Sequence, residues 1–495
     1  MKNELLAYRL QEAFKKHGDH AAIRIGKRSW SYGDLYQKSL AVSSAIRKAS
    51  SSSSPVAILG GKSFMTYAGI CGALFSSRAY MPLNIKFPVN RNQKMLELSG
   101  ADIIIADEEC SSMLRELKTE CKVISGPDLS EGDIYEITAG PGEPAYLLFT
   151  SGTTGVPKGV PVSNRNVCAY IDHMQSAWDF KPNDNFSQTF DLTFDLSVHD
   201  MMLCWLSGAC LCIPEDDSPF RMASYIRDQK ISVWFSVPSV AVLMDRMRLL
   251  KPDSIGGIRI SFFCGEPLPD VIAGKWQAAT GGKTVVNLYG PTEATIAISA
   301  YGWDEDHHKS KNGITCLGHI FDGQEFMLLD PETMKPAQKE GELCLGGSQV
   351  ISGYLDDDQL TEKYFIQMDE QPGKRWYRTG DLACLDEEGS LFFLGRTDAE
   401  VKISGYRVNL LELDAVIRKA AGSELVASIL HEKQTPAIVS FVGRDKDVSE
   451  QAIMQACKLE LPWYMIPERI IFVNEMPLNI NGKIDRNKLK QMINE

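Results

Sequence analysis

The stretch AYLLFTSGTTGVPKG, residues 145–159, is the most informative segment of the chain for its fold. Its first part is an apolar run of strand length, and its second part is rich in glycine and hydroxyl side chains. The glycines allow tight turns that point backbone N–H groups at an anion, and Lys158 adds a positive charge. The spacing differs from that of the G-x-x-x-x-G-K-S/T phosphate loop. We predict a strand that leads into a phosphate-binding loop, with a polar surface turn as the alternative.

Short apolar runs alternate with amphipathic stretches of helix length along much of the chain. VAILG (56–60) and DIIIAD (102–107) have the length of strands, whereas LYQKSLAVSSAIRKA (35–49) and MASYIRDQK (222–230) have helical periodicity. Such alternation is typical of parallel sheets that are covered by helices. We therefore predict an α/β fold with a large N-terminal domain of parallel-rich sheets.

The pattern changes near the segment Gly395-Arg396-Thr397-Asp398. A long apolar-rich region ends there, and the remaining residues have their own small set of predicted strands and helices. We predict a domain boundary at this point. Residues 1–397 would form the N-terminal core domain, and residues 398–495 would form a small, mobile α+β lid domain.

The composition argues against several classes of protein. The chain has 495 residues, 44% of them hydrophobic, which is ample for a buried core and too long for one ordinary domain. Its net charge of −12 disfavours nucleic acid or an anionic membrane as the partner. The 12 cysteines include no C-x-x-C pair, the N-terminus lacks the apolar core of a signal peptide, and no apolar run has transmembrane length. We expect a reduced, cytoplasmic protein with no nucleic-acid or membrane partner.

The segment TSGTTGVPKG (150–159) resembles the hallmark motif of the adenylate-forming superfamily, which includes acyl-CoA synthetases, luciferases and nonribosomal peptide adenylation domains. Further motifs of that superfamily occur in the same order and cover nearly the whole chain. They are WSYGDL (30–35), AYMPLN (79–84), FDLSVHD (194–200), NLYGPTEAT (287–295), GELCLGG (341–347), YRTGDL (377–382), GRTDAEVKISGYRVNLLELD (395–414) and PLNINGKIDR (477–486). The motifs are most similar to those of free-standing amino-acid adenylation enzymes, including D-alanine–carrier protein ligases.

This resemblance implies an ATP site assembled from several motifs. Tyr289 would offer a face to adenine, and Thr292 a hydroxyl to the α-phosphate. Asp381 would accept hydrogen bonds from both ribose hydroxyls, although an aspartate in a turn is usually a turn or cap residue. Arg396 would help to fix the ribose and phosphate. The residues expected to bind ATP are Thr150, Ser151, Gly152, Thr153, Thr154, Gly155, Lys158, Asn287, Tyr289, Gly290, Asp381, Arg396 and Lys483.

Adenylation joins a carboxylate to the α-phosphorus of ATP, so the site must neutralise two approaching anions. Glu293 has the hard carboxylate oxygens that suit Mg²⁺, and the resemblance gives it the role of metal ligand, with a solvated turn residue as the alternative. The resemblance also assigns Lys483 to the substrate carboxylate and the α-phosphate. The expected catalytic residues are Lys483, Glu293 and Thr292, and the expected cofactors are ATP and Mg²⁺.

A further set of residues would act after adenylation, as the resemblance implies. Asp398 matches the hinge of the superfamily, about which the C-terminal domain would rotate. The rotation would withdraw Lys483 and present the segment 402–406 to the site. Lys402 and Gly405 would then line the passage of a pantetheine thiol.

Asp195 indicates the class of substrate. It matches the aspartate that pairs with the α-amino group in amino-acid adenylation domains, whereas fatty or aryl acids need no such partner. A buried carboxylate without a partner is costly. Asp195 therefore favours an amino acid, and an N-cap of the following helix is its alternative role.

The rest of the substrate pocket follows from aligning the motifs with those of the superfamily. It would consist of Leu196, His199, Phe235, Phe262, Cys264, Gly265, Leu288 and Ile296. These side chains leave little volume and no charge, so we expect a small apolar substrate: alanine or proline, which we favour, or glycine. We interpret His199 as a core histidine bonded to the backbone rather than a catalytic residue. We interpret Cys264 as a small buried thiol rather than a nucleophile.

Two enzymatic functions remain open. In the first, the aminoacyl group passes to the phosphopantetheine of a carrier protein, which we expect to be separate because the chain ends soon after NGKIDR (481–486). In the second, the chain is an acyl-CoA ligase for a small carboxylic acid. A third function, nucleotide binding without catalysis, is disfavoured because Glu293, Asp381 and Lys483 occur together. The sequence does not specify the exact amino acid, its stereochemistry, the carrier or the oligomeric state.

Overall fold

The structure of the chain, a computed structural model, describes residues 5–126, 129, 132–151, 157–216, 218–368, 373–397, 400–423, 425–431, 436–443, 448–477 and 484–494. Its strands are β1 (Ala21–Ile25), β2 (Arg28–Ser31), β3 (Val56–Leu59), β4 (Tyr80–Leu83), β5 (Ile103–Ala106), β6 (Lys122–Ile124), β7 (Pro144–Thr150), β8 (Lys158–Ser163), β9 (Asn185–Ser187), β10 (Cys210–Ile213), β11 (Val233–Ser236), β12 (Ile260–Phe263), β13 (Thr284–Tyr289), β14 (Ser299–Trp303), β15 (Ser310–Lys311), β16 (Ile314–Thr315), β17 (His319–Ile320), β18 (Gln324–Leu329), β19 (Pro336–Ala337), β20 (Glu340–Gly347), β21 (Phe365–Gln367), β22 (Arg375–Leu385), β23 (Leu391–Arg396), β24 (Glu400–Ile403), β25 (Tyr406–Asn409), β26 (Val426–His431), β27 (Ala437–Gly443) and β28 (Arg469–Val473).

The α-helices follow the strands in most of the chain. They are α1 (Leu6–Lys16), α2 (Tyr32–Ala49), α3 (Phe64–Phe75), α4 (Val89–Ser99), α5 (Ser111–Glu116), α6 (Asn164–Ala177), α7 (Leu196–Leu206), α8 (Pro219–Asp228), α9 (Pro238–Arg246), α10 (Asp270–Ala279), α11 (Asp358–Tyr364), α12 (Leu410–Ala421), α13 (Glu450–Glu460) and α14 (Arg486–Asn494). No helix in the described ranges is both long enough and apolar enough to cross a membrane.

Two large sheets contain mostly parallel strands. Within the described residues, one has the strand order β17-β14-β13-β12-β11-β9-β10-β1-β2 and the other has the order β6-β5-β3-β4-β7-β8. In the first sheet the central strands are parallel, and β2, β14 and β17 join antiparallel at the two edges. In the second, β8 is the antiparallel edge strand. The prediction of an α/β fold with parallel-rich sheets is therefore confirmed.

The composition of these strands explains why they lie inside. Every residue of β3, β5, β11 and β12 is buried, as expected for short apolar runs whose two faces are both covered by helices. Some helices begin where a polar side chain caps them: α2 starts with a capping box in which Ser31 and Asp34 bond to each other's backbone N–H groups. Others, such as α1 and α7, begin without a side-chain cap. Local sequence thus sets the strands and part of the helix starts.

Residues after β17 form a third sheet and a separate C-terminal part. Among the described residues, the third sheet has the order β19-β18-β20-β22-β21, with β23 also paired to β22. Residues 400–494 contain the hairpin of β24 and β25, the sheet β26-β27-β28 and helices α12 to α14. All of these elements except α14 contribute to an apolar cluster that includes Val408, Leu413 and Val442, and α14 packs through Leu489 in a second cluster. The division between residues 397 and 398 stays a prediction, because Asp398 lies outside the described residues.

The first sheet supplies several segments of the site. β11, β12 and β13 are parallel neighbours, so their carboxyl ends meet at one edge of the sheet, where ligands of α/β proteins usually bind. Cys264 follows β12 at this edge, and Gly290 follows β13. The motifs that the sequence separates by tens of residues are therefore adjacent in space.

Candidate active site

A cavity lies where the predicted motifs meet. The predicted site residues on its wall are Thr150, Ser151, Asp195, Leu196, Cys264, Gly265, Gly290, Thr292, Asp381, Arg396, Lys402 and Gly405. A second cavity shares part of this wall and adds Asn287, Leu288 and Tyr289. The structure thus brings many of the residues predicted to bind ATP, substrate and thiol to two adjoining cavities.

The predicted phosphate loop connects β7 to β8. Thr150 ends β7, Lys158 begins β8, and the two residues pair across these antiparallel strands. The Ser151 hydroxyl donates to the carbonyl of Arg407 at 2.9 Å and accepts a hydrogen bond from the N–H of Asn409 at 3.0 Å. The start of the loop is therefore bonded to strand β25 of the C-terminal hairpin. Outside the described residues lie Gly152, Thr153, Thr154 and Gly155.

A cluster of buried charges lies beside the first cavity. Glu293 is fully buried, and its Oε2 accepts a hydrogen bond from Arg407 Nη1 at 2.9 Å. Its Oε1 accepts a hydrogen bond from the Tyr354 hydroxyl at 2.7 Å and lies 3.2 Å from Lys158 Nζ. Glu400 also pairs with Arg407 and lies 3.8 Å from Lys158 Nζ. Because both carboxylates have cationic partners, the free-energy cost of burying their charges is offset.

The charge state of Glu293 fits the expected role of a Mg²⁺ ligand. Burial alone would raise the pKa of Glu293, but the Arg407 guanidinium and the Lys158 ammonium outweigh burial and hold the pKa well below its usual range. In the described residues no group of three His, Cys, Asp or Glu side chains could hold a metal, and Mg²⁺ commonly binds one or two carboxylates together with phosphate oxygens and waters. The role of Glu293 as a single Mg²⁺ ligand stays a prediction, and in this structure its Oε2 is paired with Arg407.

Asp381 connects the residues predicted to hold the nucleoside. It is 4% exposed, and its two oxygens accept hydrogen bonds from the Tyr289 hydroxyl, at 2.6 Å, and from Arg396. Arg396 also donates to Glu400 at 2.8 Å. Burial and then the neighbouring Asp381 carboxylate raise the pKa of Tyr289 well above its usual value. The three residues assigned by sequence to one nucleoside site therefore form one hydrogen-bonded set.

The turn after Glu293 is held in a strained conformation. Thr295 and Ile296 have φ angles of 58° and 71°, in the left-handed region that β-branched residues avoid. Gln349 holds the turn: its side-chain amide donates to the carbonyl of Ala297 at 2.7 Å, and its backbone carbonyl accepts a hydrogen bond from the Thr295 hydroxyl. Such strain costs about 1–3 kcal/mol per residue and is concentrated at functional sites. The turn fixes the backbone that carries the predicted metal ligand.

Asp195 directly precedes α7 and is 7% exposed. Its side chain makes no capping hydrogen bond, so the alternative role of N-cap is not observed. Its Oδ2 is buried without a hydrogen-bond partner in the part of the chain that the structure describes. Burial raises the pKa of Asp195 to about 7, and the Thr292 hydroxyl and the charge of Lys402 only partly oppose this effect. Among the described residues Asp195 therefore forms no ion pair, although the charge of Lys402 acts on it.

The other predicted pocket residues are divided between the cavity wall and the core behind it. Leu196, Cys264 and Gly265 line the first cavity, and Leu288 lines the second. Burial raises the pKa of Cys264 to about 12, which fits the interpretation of an unreactive thiol. Four predicted pocket residues are buried but are not on either wall: His199, Phe235, Phe262 and Ile296. The cavity therefore extends less far into the core than it would if all the predicted pocket residues lined it.

His199 lies in the core behind Asp195. Its Nδ1 is 2.6 Å from the Tyr170 hydroxyl and its ring centroid is 4.2 Å from that of Phe235. The expected bond to the backbone is thus replaced by a bond to a phenol. Burial lowers the pKa of His199 to about 3, so the ring is neutral at physiological pH. The structure supports a structural role for this histidine.

The predicted thiol passage faces the first cavity. Lys402 and Gly405 both line it, and the Gly405 N–H donates to Glu266 Oε1 at 2.6 Å. Glu266 Oε2 accepts from the N–H of Ser239 at 2.9 Å, so one carboxylate joins the hairpin to α9. Asp398 and Lys483, the predicted hinge and catalytic lysine, lie outside the described residues.

Sequence patterns did not single out several residues that organise the site. They are Glu266, Gln349, Tyr354, Glu400 and Arg407. For the last two, a signal was available in the segment EVKISGYRVN (400–409), where charged residues alternate with apolar ones as on a strand with one polar face. The partners of these residues lie far away in the sequence, so their roles became visible only in the fold.

Known proteins resemble this chain along its whole length. A model of the family described as "AMP-binding enzyme" matches residues 10–355. A plipastatin synthase of Bacillus subtilis is 29% identical over 493 residues, which are 98% of this chain but 19% of that protein. The D-alanine–D-alanyl carrier protein ligase of Bacillus licheniformis is 29% identical over 510 residues, 98% of this chain and 99% of that protein. The chain therefore spans about a fifth of the synthase and nearly all of the ligase.

Solved structures extend the likeness to the fold. The Vibrio cholerae adenylation domain AlmE, in complex with glycyl-adenosine-5'-phosphate, matches with a TM-score of 0.89 and 28% identity over 99% of this chain and 97% of that chain. An o-succinylbenzoate CoA synthetase from Bacillus subtilis matches with a TM-score of 0.85 over 98% of each chain. Its identity of 19% shows a common fold alone.

Proposed function

Because the chain belongs to the AMP-binding enzyme family of adenylate-forming ligases, we propose that it activates a small amino acid with ATP and passes the aminoacyl group to the phosphopantetheine thiol of a separate carrier protein. Enzymes of this family use ATP together with Mg²⁺. The amino acid, the acceptor thiol and the carrier belong to the proposal.

The buried carboxylate of Asp195, which forms no ion pair in the described structure, is the observation that carries the proposal. It lies on the cavity wall, almost fully buried, and one of its oxygens has no hydrogen-bond partner in the described structure. A buried carboxylate is stabilised by a cation that can pair with it. The α-ammonium group of an amino acid supplies that cation next to the carboxylate to be activated. A fatty or aryl acid has no such group.

The short cavity supports a small substrate side chain. Leu196 and Cys264 are on the wall beside Asp195, and the aromatic rings of Phe235 and Phe262 fill the core behind them. Alanine, proline and glycine fit this description, and the relatives support the first and the last: one is named a D-alanine–D-alanyl carrier protein ligase, and AlmE was solved with a glycyl adenylate.

In the proposed first half-reaction, a carboxylate oxygen of the amino acid attacks the α-phosphorus of ATP and pyrophosphate leaves. Asp195 holds the ammonium group, and Asp381 with Tyr289 holds the nucleoside. Lys483 stabilises the negative charge that develops on the α-phosphate. When bound at Glu293, Mg²⁺ supplies positive charge to the phosphate oxygens.

The arrangement of the C-terminal hairpin supports the proposed second half-reaction. Gly405 is hydrogen-bonded to Glu266 and lines the cavity, and Arg407 donates a hydrogen bond to Oε2 of Glu293. We infer that this is the arrangement for thiol transfer, and that rotation about Asp398 replaces it during adenylation. The release of Glu293 by Arg407 would then accompany the rotation.

An assay of ATP–pyrophosphate exchange with a panel of acids tests the proposal. We expect exchange with alanine, glycine or proline and much less with propionate or acetate. Exchange that prefers the acids without an amino group, followed by transfer to coenzyme A, would support the acyl-CoA ligase instead. If ATP binds but no acid supports exchange, the chain is a nucleotide-binding module without catalysis.

We expect amino-acid binding to weaken as the pH falls below about 7, the pKa of Asp195 in the substrate-free site. The ammonium group pairs with the ionised carboxylate, so binding draws the pKa of Asp195 downward. Below the pKa of the free site, the fraction of enzyme able to bind falls about tenfold per pH unit. The KM for the best amino acid, measured in pyrophosphate exchange across this range, should rise toward low pH while the KM for ATP changes less. A KM that is constant between about pH 5.5 and about pH 8 would contradict this expectation.

A further inference from the structure

Tyr354 contacts two of the residues predicted to bind ATP and Mg²⁺, although it belongs to none of the motifs found in the sequence. Its hydroxyl donates a hydrogen bond to Glu293 Oε1 at 2.7 Å. The Lys158 ammonium lies over its ring, 5.0 Å from the ring centroid, and is 3.2 Å from the same oxygen of Glu293. One side chain therefore contacts the predicted metal ligand through its hydroxyl and the predicted phosphate-binding lysine through its aromatic face.

The surroundings of Tyr354 fix its ring in place. The side chain is 6% exposed, and its ring packs edge-on against the rings of Phe365 and Tyr364, with centroids 5.6 Å and 6.3 Å away. Three residues earlier, the Ile351 N–H donates to the backbone carbonyl of Glu293 at 3.0 Å. The segment that carries Tyr354 is thus bonded to the turn that carries Glu293, and the ring is held by aromatic packing rather than by the charged groups.

The two contacts of Tyr354 do not compete with the ligands of the site. The ion pair between Lys158 and Glu293 is broken when the lysine pairs with a phosphate and the carboxylate with a metal. A neutral hydroxyl can still donate to one carboxylate oxygen while the other oxygen binds a cation. An aromatic face likewise attracts an ammonium group without carrying a charge. Tyr354 can therefore keep both side chains aligned after the ion pair between them is broken.

The hydroxyl of Tyr354 also distinguishes the two oxygens of Glu293. Oε1 accepts from Tyr354, whereas Oε2 accepts from Arg407 Nη1 at 2.9 Å. Arg407 lines the first cavity and lies on β25 of the C-terminal hairpin, for which we infer a different arrangement during adenylation. Tyr354 lies between β20 and α11, before the predicted domain boundary. Its contact with Oε1 therefore does not depend on the hairpin, and Oε2 is the oxygen that movement of the hairpin exposes.

We propose that Tyr354 is a positioning residue of the ATP site: its hydroxyl orients Glu293 toward Mg²⁺, and its ring holds Lys158 beside the phosphates. This inference rests on the proposed function and assigns a residue to its first half-reaction. Tyr354 lines neither of the two cavities, so its effect is assigned to the side chains that it contacts.

The test compares the binding of ATP with and without Mg²⁺, so it needs neither an amino acid nor turnover. Isothermal titration calorimetry gives the Kd of ATP in EDTA and in excess Mg²⁺, and the ratio of the two is the gain from the metal. Tyr354→Phe keeps the ring and removes the hydroxyl, whereas Tyr354→Leu removes both. Tyr32→Phe is the matched control, because Tyr32 is also buried, donates its hydroxyl to the Ala209 carbonyl at 2.7 Å and lines neither cavity.

We expect Tyr354→Phe to lower the gain from Mg²⁺ about tenfold, because a hydrogen bond to a charged group is among the stronger ones. Its metal-free Kd should stay within about twofold of the wild-type value, since the ring still faces Lys158. Tyr354→Leu should also raise the metal-free Kd about fivefold, because Lys158 loses the aromatic contact. Tyr32→Phe should lower the melting temperature and leave both Kd values unchanged.

A double variant shows whether the hydroxyl acts through Glu293. In a Glu293→Gln protein, adding Tyr354→Phe should cause no further loss of the gain from Mg²⁺, because effects that pass through one shared group are not additive. Additive losses would contradict the inference. Since Tyr354→Phe is nearly isosteric, it and the double variant decide the question if Tyr354→Leu does not fold.

Other results would overturn the inference. They are a wild-type protein whose ATP affinity does not depend on Mg²⁺, an unchanged gain in Tyr354→Phe, or an equal change in both Kd values. A Tyr354→Phe protein that loses only thermal stability, as Tyr32→Phe does, would show that the tyrosine serves the core alone. Wild-type enzyme without amino-acid-dependent pyrophosphate exchange would overturn the proposed function and this inference with it, whereas normal exchange with an unchanged gain overturns this inference alone.

Discussion

Replacing Asp195 by alanine is expected to lower the use of an amino acid by about 10²- to 10³-fold. The proposed ammonium group of the substrate enters a buried part of the cavity, where one oxygen of Asp195 has no hydrogen-bond partner in the described structure. Removing one member of a buried ion pair costs about 3–5 kcal/mol. Since about 1.4 kcal/mol corresponds to a factor of ten, kcat/KM for alanine in pyrophosphate exchange should fall by that amount.

A second acid distinguishes loss of the ion pair from general damage. Asp195→Ala should lose far less activity with propionate, which has hydrogen in place of the amino group of alanine, and could even gain. Asp200→Asn is the matched control, because Asp200 is also a buried aspartate, lies on α7 and does not line the cavity. It should leave the preference for alanine over propionate unchanged. Parallel losses with both acids in Asp195→Ala would argue against an amino-acid substrate.

Replacing Gly405 by alanine is expected to slow thiol transfer by about 10²-fold or more, with a much smaller effect on adenylation. Gly405 has a φ of +83°, and a Cβ added there would lie 2.2 Å from Cγ1 of the buried Val237. The left-handed conformation costs an ordinary residue about 1–2 kcal/mol, and overpacking costs about 1–3 kcal/mol more. The sum is sufficient to disfavour the arrangement in which the hairpin lies against Glu266. The rate of S-alanyl-pantetheine formation is the measurement.

Two further variants separate the collision from the backbone strain. Gly389→Ala has nearly the same φ, +79°, but its Cβ would meet no atom within 4 Å, so it should leave transfer unaffected. Val237→Ala, combined with Gly405→Ala, removes the Val237 methyl group that the new Cβ would contact. This double variant should regain part of the transfer rate. If the double variant transfers no faster than Gly405→Ala, the contact between hairpin and α9 is not what limits transfer.

The fold class, and the meeting of the predicted ATP-site motifs at two adjoining cavities, could be predicted from the sequence because both depend on local patterns. Apolar runs such as β3 and β5 are buried strands whatever their neighbours are. Within the segment 145–159, residues 145–150 lie on β7 as predicted, whereas Lys158 and Gly159, expected in the loop, begin strand β8, and residues 152–156 lie outside the described residues. The boundary at residue 398 and the roles of Lys483 and Asp398 stay predictions.

The sequence predicted the residues that line the cavity only in part. Asp195, Leu196 and Cys264 line the cavity as expected, but His199 and Phe235 lie behind the wall. Motif alignment identifies residues that are near a substrate in related proteins. It does not determine how far a cavity extends, because that depends on how the side chains of several strands fill the space together.

The sequence by itself determined that this protein is an α/β chain. It also determined that the phosphate-binding and carboxylate motifs occur in the order of an adenylate-forming enzyme, because each motif lies within a short segment. Only the tertiary structure decided which charges have partners. Arg407 pairs with Glu293 across 114 residues, and the Ser151 hydroxyl reaches the carbonyl of Arg407 across 256. Asp195 and Lys402, by contrast, face the cavity without ion pairs in the described structure. Such pairing depends on long-range contacts between elements, and local periodicity contains no information about them.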